Sequence, residues 1–191
     1  MKLPKNRLLY WPGMHSDKSE LQFLLESIAV SGVSITQMEC PYDIGLSPDN
    51  QYSEIYRWLK QSNLYWDWWI GLSLGAAVAH IASCIGSINI RPKRISLINP
   101  FSDREALSRE ARFNIQNQWN FKPINYVCST AIDIDLIISL YDDRISNEHG
   151  KQLLKCYPSA NIRLTELEAD HAISSQIRQH QLAKILLKKD G

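Results

Sequence analysis

The fold of this chain is decided by residues 68–77, which read WWIGLSLGAA. Five of the six residues before Gly71 are tyrosine, tryptophan or isoleucine, a run that predicts a buried strand. The small residues from Ala76 onward predict a helix. Between them lies Gly-x-Ser-x-Gly, a pattern typical of a nucleophile elbow, the sharp strand-to-helix turn that exposes a reactive serine.

The spacing of the two glycines follows from the crowding in such a turn. A serine held at a strained turn needs neighbours without side chains two positions away on each side, and Gly71 and Gly75 supply that room. The amides after Ser73 open a helix and point to where negative charge would form. The alternative is that both glycines only allow a helix to pack on a strand, with Ser73 a bystander.

Length and charge exclude several classes of protein. The 191 residues suit one domain, 1–191, with a single substantial core. Because 21 basic side chains face 20 acidic ones, we expect neither nucleic acid nor a membrane surface as a partner. The apolar run at 8–11 is too short for a secretory signal, and polar residues interrupt the apolar run at 70–90.

The cysteines predict a reducing compartment. They are widely spread, and no two have the close spacing of a zinc or redox site. We therefore expect reduced thiols packed in the core of a cytoplasmic protein, with no metal site. The four are Cys40, Cys84, Cys128 and Cys156.

Strand and helix patterns alternate along the chain. Strands are predicted at 7–11, 33–39, 65–72, 94–98, 134–140 and 162–167. Helices are predicted from a cap at Ser16 or Asp17 to Gly32, and at 53–61, 74–84, 103–118, 146–156 and 174–189. This order predicts a doubly wound, mostly parallel six-stranded α/β sheet with its ligand site at the carboxyl ends of the strands. The insertion at 101–132 breaks the rhythm and is expected to be a short lid over that site.

The chemically capable residues all follow predicted strands. Ser73 follows the third strand, Asp142 and Asp143 follow the fifth, and His171 follows the sixth. Ser, Asp, His is the chain order of α/β-hydrolases, and over nearly its whole length the chain resembles a small member of that superfamily. The resemblance implies a minimal α/β-hydrolase fold without the antiparallel strands that open larger members.

The resemblance also implies an oxyanion hole. Residues 9–16 resemble the loop that follows the first parallel strand of the family, often written His-Gly-x-x, although Pro12 stands where the histidine usually does. By position, the backbone amide of Met14 would join that of Leu74 in holding the oxyanion. His15, in the same loop, is expected to be solvated or to cap the next helix.

For the acid, residues 139–148 resemble the family pattern Gly-x-x-Asp followed three residues later by a branched apolar residue. That alignment favours Asp142. Asp143 stays open, because the family also tolerates the apolar residue two positions after the acid; the unused aspartate would then cap the next helix. The other histidines, His80, His149 and His180, are expected to be structural or solvated.

The implied reaction is acyl transfer to water, and it needs no cofactor. His171 would accept the Ser73 proton as the serine attacks a carboxylic ester or thioester, and Asp142 would stabilise the imidazolium. The rival hypothesis is a catalytically silent binding protein with the same fold.

Substrate choice is expected to lie in the insertion. Arg104 and Arg112 share a helix face, with Arg109 one turn from Arg112, and this face could receive an acidic acyl carrier protein or a substrate carboxylate or phosphate. The family that the chain resembles includes carboxylesterases, thioesterases and esterases that act on a pimeloyl methyl ester. Trp119 is the tryptophan best placed to line an acyl pocket, whereas Trp58, Trp66, Trp68 and Trp69 are expected in the core. The alternative for the arginines is a solvated face balanced by nearby acids.

Overall fold

A computed structural model describes residues 7–13, 20–38, 48–61, 65–86, 89–110, 122–129 and 131–188. Several residues singled out above lie outside the described residues: Met14, His15, Ser16, Asp17, Cys40, Arg112 and Trp119. Arg104 lies in a described helix, but its side chain does not belong to the described part.

Strands and helices alternate as the sequence predicts. The strands are β1 (Arg7–Trp11), β2 (Ser34–Gln37), β3 (Trp68–Leu72), β4 (Arg94–Ile98), β5 (Asp133–Ser139) and β6 (Asn161–Leu167). The α-helices are α1 (Gln22–Val30), α2 (Pro48–Gln61), α3 (Leu74–Ile85), α4 (Arg104–Glu110), α5 (Asn147–Leu153) and α6 (Gln176–Leu187). Short 3-10 turns follow at Pro123–Asn125 and Leu154–Cys156.

The six strands form one sheet in the order β2-β1-β3-β4-β5-β6, and every neighbouring pair is parallel. One face carries Trp11 and Trp69 and is covered by α3 and α5; the other packs against α1 and α6. The doubly wound α/β prediction is therefore confirmed. In such a sheet the carboxyl ends of the strands meet at one edge, which is where Ser73, Asp142 and His171 follow their strands.

Some boundaries differ from the sequence predictions. Helix α2 begins at Pro48 rather than at residue 53, because proline is well suited to the first helical position and its polar first turn lacks apolar periodicity. Strand β3 begins at Trp68 rather than 65, since Trp66 leaves the sheet and stacks on Trp58 with ring centroids 5.6 Å apart. Helix α4 is described only to Glu110.

The predicted cap at Ser16 or Asp17 is wrong, because α1 begins at Gln22 with Leu21 at its N-cap position. The core agrees with the sequence prediction except at Trp58, which is only half-buried. Trp66, Trp68 and Trp69 are buried, and Gly32 ends the α1 segment with a φ of 89°. Cys84, Cys128 and Cys156 are free thiols, the last two buried. Within the part of the chain that the structure describes, no helix is both long and apolar enough to cross a membrane.

Candidate active site

Ser73 sits in a strained backbone conformation between β3 and α3, with φ 53° and ψ −116°. A non-glycine residue rarely adopts this region, which costs on the order of 1–3 kcal/mol. Hydrogen bonds on both sides hold it there: the Ser73 amide donates to the Ile98 carbonyl at 2.8 Å, and the Ser73 carbonyl accepts from Ala77 at 3.1 Å. The turn therefore keeps the serine at the carboxyl edge of the sheet, half-buried.

The flanking glycines provide the room that the sequence spacing predicts. A Cβ on Gly71 would lie 2.6 Å from Ala76 Cα, and one on Gly75 would overlap the carbonyl oxygens of Trp11 and Pro12. Gly75 thus lets the start of α3 pack against the end of β1, as the packing alternative holds. That close packing nevertheless surrounds a serine in a strained conformation, which packing alone does not require.

The chain leaving β1 passes directly beside the serine. A Cβ built on Gly13 would lie 3.6 Å from Ser73 Cβ and 3.5 Å from the Leu72 carbonyl oxygen. Leu74 is the first residue of α3, where amide hydrogens have no acceptor inside the helix. The pairing of the Met14 and Leu74 amides stays a prediction, because Met14 lies outside the described residues.

Asp142 and His171 form a buried contact between their side chains at the carboxyl ends of the strands. Asp142 Oδ2 lies 2.7 Å from His171 Nδ1, and only 2% of the aspartate side chain and 9% of the histidine side chain are exposed. The second oxygen, Oδ1, accepts the backbone amides of Arg144 and Ile145, each at 2.9 Å. A carboxylate that accepts all three bonds takes a hydrogen bond from Nδ1, and this arrangement leaves Nε2 without a partner among the described residues.

Asp143 takes no part in this contact and lies exposed. The expectation that the unused aspartate caps the next helix is wrong. Ser146, in the extended conformation that a cap requires, accepts the Glu148 amide at the start of α5. Because the helix begins at Asn147, Asp143 is too far upstream to cap it.

Asn99, the residue after β4, was missed as a site residue by sequence reasoning. Its Nδ2 donates to the His171 carbonyl oxygen at 2.7 Å, while Ile98 beside it accepts the Ser73 amide. The sequence carried only a weak signal, since Asn99-Pro100 marks the end of a strand. Among the described residues no hydrogen bond joins Ser73 Oγ to His171, as is common before a substrate tightens such a site.

The root of the insertion is anchored by a buried histidine. His80, on α3, is fully buried, with Nε2 2.9 Å from the Pro123 carbonyl oxygen and Nδ1 2.5 Å from the Tyr157 hydroxyl. Burial lowers the pKa of His80 to about 4 despite the carbonyl contact. The expectation of a structural histidine at this position is met by these contacts.

The charged face of the insertion is described in part. Arg109 is exposed on α4. Lys122 pairs with Glu105 at 3.0 Å and lies 3.8 Å from Asp103, and these acids raise the pKa of Lys122. Since Arg112 and Trp119 lie outside the described residues, their binding roles remain predictions.

No protein-family model and no curated protein matches this chain. Solved structures match it closely in fold. The esterase domain of a Rhodothermus marinus protein has a TM-score of 0.70 at 16% identity, covering 96% of this chain and 84% of that one. Est1E from Butyrivibrio proteoclasticus, with ferulic acid bound, has a TM-score of 0.71 at 10% identity, covering 97% and 92%. The enol-lactonase from Burkholderia xenovorans has a TM-score of 0.68 at 12% identity, covering 95% and 90%.

The chain therefore has the α/β-hydrolase fold. The match extends over nearly all of the chain. At these identities the likeness defines the fold, and the chemistry has to be inferred from the residues at the carboxyl edge.

Proposed function

We propose that this protein is a serine hydrolase that cleaves a carboxylic ester or thioester, with Ser73 as nucleophile, His171 as base and Asp142 as the orienting acid. The observation that carries the proposal is the buried 2.7 Å contact between Asp142 and His171 at the same sheet edge as the strained Ser73. The esterases and the lactonase among the similar structures support hydrolysis of an ester bond.

The proposed reaction passes through an acyl-enzyme. His171 Nε2 accepts the Ser73 proton as Oγ attacks the substrate carbonyl, and Asp142 stabilises the resulting imidazolium. The amides of Leu74 and Met14 stabilise the oxyanion of the tetrahedral intermediate. His171 then gives its proton to the departing alcohol or thiol, and a water molecule, activated by the same nitrogen, releases the acid and restores Ser73.

A covalent probe tests the nucleophile directly. Incubation with a fluorophosphonate should add the mass of one phosphonyl group to the native chain and none to Ser73→Ala. Ser146→Ala is a matched control, because Ser146 also precedes a helix but its hydroxyl accepts the Glu148 amide and has no role in the proposed reaction. This variant should label like the native chain. Labelling that persists in Ser73→Ala would move the nucleophile elsewhere, and no labelling of the native chain would favour the silent binding protein.

For the substrate, we propose an anionic or carrier-bound acyl group, such as the pimeloyl methyl ester of an acidic acyl carrier protein. The support comes from the sequence, which predicts that Arg104, Arg109 and Arg112 form a basic helix face in the insertion and that Trp119 lines an acyl pocket. Reversing the three arginines to glutamate should depress turnover of a carrier-bound substrate and spare a neutral nitrophenyl ester. The loss should shrink at high salt, because salt screens the charges.

The control for this charge reversal lies outside the insertion. Arg57 and Arg178 sit on α2 and α6, each in an exposed or half-exposed ion pair, and their joint reversal changes the net charge in the same direction. It should leave both substrates unaffected. If the insertion variant lost turnover equally on both substrates, its arginines would have a structural role. If turnover of neither substrate changed, the arginines would form a solvated face with no part in binding.

A further inference from the structure

We propose that Asn99 is a positioning residue that fixes the three proposed catalytic side chains relative to one another, an inference that rests on the function proposed above. Asn99 is the first residue after β4, is only 3% exposed, and has a left-handed φ of 47°. Its side chain touches no reacting atom. It joins the ends of strands that are distant in sequence.

The amide group of Asn99 is bonded on both of its atoms. Nδ2 donates to the His171 carbonyl oxygen at 2.7 Å and to Ser139 Oγ at 2.9 Å, while Oδ1 accepts the Ser139 amide at 2.8 Å. Its backbone amide donates to the Ile137 carbonyl at 2.9 Å. A buried amide with its donors and its acceptor all bonded has one orientation, so it can serve as a rigid spacer.

The same position is connected to the nucleophile. Ile98, which precedes Asn99, pairs with Leu72 in the sheet and accepts the Ser73 amide at 2.8 Å. One dipeptide therefore holds the main chain of Ser73 through its first residue and the main chain of His171 through its second.

Ser139 connects Asn99 to the proposed acid, Asp142. Asn99 binds Ser139 at both its amide and its hydroxyl, and the Ser139 carbonyl accepts the Asp142 amide at 3.2 Å. Asp142 in turn binds the imidazole of His171. The His171 residue is thus held at two points, at Nδ1 by the acid and at its carbonyl oxygen by Asn99.

Few residues can replace asparagine at this position. The left-handed backbone favours glycine and asparagine, but glycine has no side chain to bridge the strand ends. Aspartate supplies acceptors for the Ser139 groups yet, when ionised, has no hydrogen to give the His171 carbonyl. These two substitutions separate the backbone requirement from the hydrogen bond that positions the histidine.

The decisive experiment compares Asn99→Gly and Asn99→Asp with the native enzyme on a nitrophenyl ester. Both variants should lower kcat by about 10- to 100-fold while KM stays within about twofold, since a misplacement of about 1 Å can cost a hundredfold without removing binding contacts. The matched control is Ser96→Ala, at the middle of β4 and three residues before Asn99. It loses two buried hydrogen bonds, to Asp135 and from Trp68, and should lower stability with kcat unchanged.

A spectroscopic readout makes the test independent of turnover. The Nδ1 proton of His171, held by Asp142, should give a low-field NMR resonance in the native protein and in Ser96→Ala, and a shifted or broadened one in Asn99→Gly. Retention of both kcat and this resonance in Asn99→Gly would overturn the positioning role. If the native protein neither turns over an ester nor labels at Ser73, the proposed function fails, and the resonance alone decides whether Asn99 positions His171.

Discussion

Strand β5 carries one buried aspartate and leads into a second, and the two have opposite surroundings. Asp135, inside the strand, is 4% exposed and accepts bonds from Arg94 and Ser96 at one oxygen and from Arg163 at the other. Asp142, past the end of the strand, gives one oxygen to two backbone amides and the other to a single imidazole.

The difference separates a stabilising group from a chemically available one. The Asp135 carboxylate is paired with the guanidinium groups of Arg94 and Arg163, which stay charged and do not exchange protons with a substrate. Asp142 faces a histidine whose Nε2 has no hydrogen-bond partner among the described residues. Asp142 therefore holds a group that can take part in proton transfer, whereas Asp135 holds only guanidinium and hydroxyl groups and contributes to the fold.

Histidines show the same contrast. In His80 both ring nitrogens are bonded, to Tyr157 and to Pro123, and the side chain is fully buried. His171 uses only Nδ1. Residue type alone therefore does not separate these two histidines, whereas the number of bonded ring nitrogens does.

The largest expected effect comes from neutralising Asp142. If it orients His171 as proposed, Asp142→Asn should lower kcat by about 10⁴-fold, because the wrong imidazole tautomer would face Ser73. The measurement is the hydrolysis rate of a nitrophenyl ester, corrected for the folded fraction.

Asp143→Asn is the matched control for this measurement, since the residue is adjacent and exposed. It should change the rate by less than about twofold. A large loss in the control and a small one in Asp142→Asn would transfer the role of the acid to Asp143.

Asp135→Asn should show the opposite pattern of effects. Leaving Arg94 and Arg163 without their anion should lower the free energy of unfolding by about 3 kcal/mol, toward the low end for buried pairs because both arginines are partly exposed. The kcat of the folded protein should not change. Urea unfolding measures the first quantity and ester hydrolysis the second.

Asp133→Asn supplies the comparison on the same strand. Asp133 is exposed and has a long 3.5 Å contact with Asn161, so its replacement should cost less than about 1 kcal/mol. If Asp135→Asn lowered kcat as strongly as it lowered stability, the proposed division between the two aspartates would be wrong.

Short apolar strands with strong stop signals were predictable from sequence to the residue. The run at 7–11 ends at Pro12-Gly13 and the run at 94–98 ends at Asn99-Pro100, and both match β1 and β4. The start of α2 was not predictable from apolar periodicity, because the turn that begins at Pro48 is polar. Sequence patterns therefore define an element accurately where its apolar run and its stop signal are adjacent in the chain.

The details of the site depend on contacts that local patterns do not record. Asn99 binds residues 40 and 72 positions away, and in sequence it reads only as a strand end. The choice between Asp142 and Asp143 depends on the path of the loop, which is held by bonds from Leu140 to Leu167 and from Tyr141 to Ala169. The family pattern admitted both aspartates, and the fold brings Asp142 to His171.

The pH dependence of stability tests the contrast between the two histidines. Burial lowers the pKa of His80 from an ordinary 6.5 to about 4, so between these values the unfolded chain binds a proton that the folded protein does not. Stability from this group is therefore complete above pH 6.5 and is lost as the pH falls toward 4, by at most about 3 kcal/mol.

His80→Gln should be less stable at neutral pH, but its free energy of unfolding should fall less on acidification than that of the native protein. Urea unfolding at several pH values between 7 and 4 measures this difference. His180→Gln, which removes an exposed histidine, should retain the native slope. Equal slopes in all three proteins would mean that folding does not lower the pKa of His80, and the contrast between His80 and His171 would no longer hold.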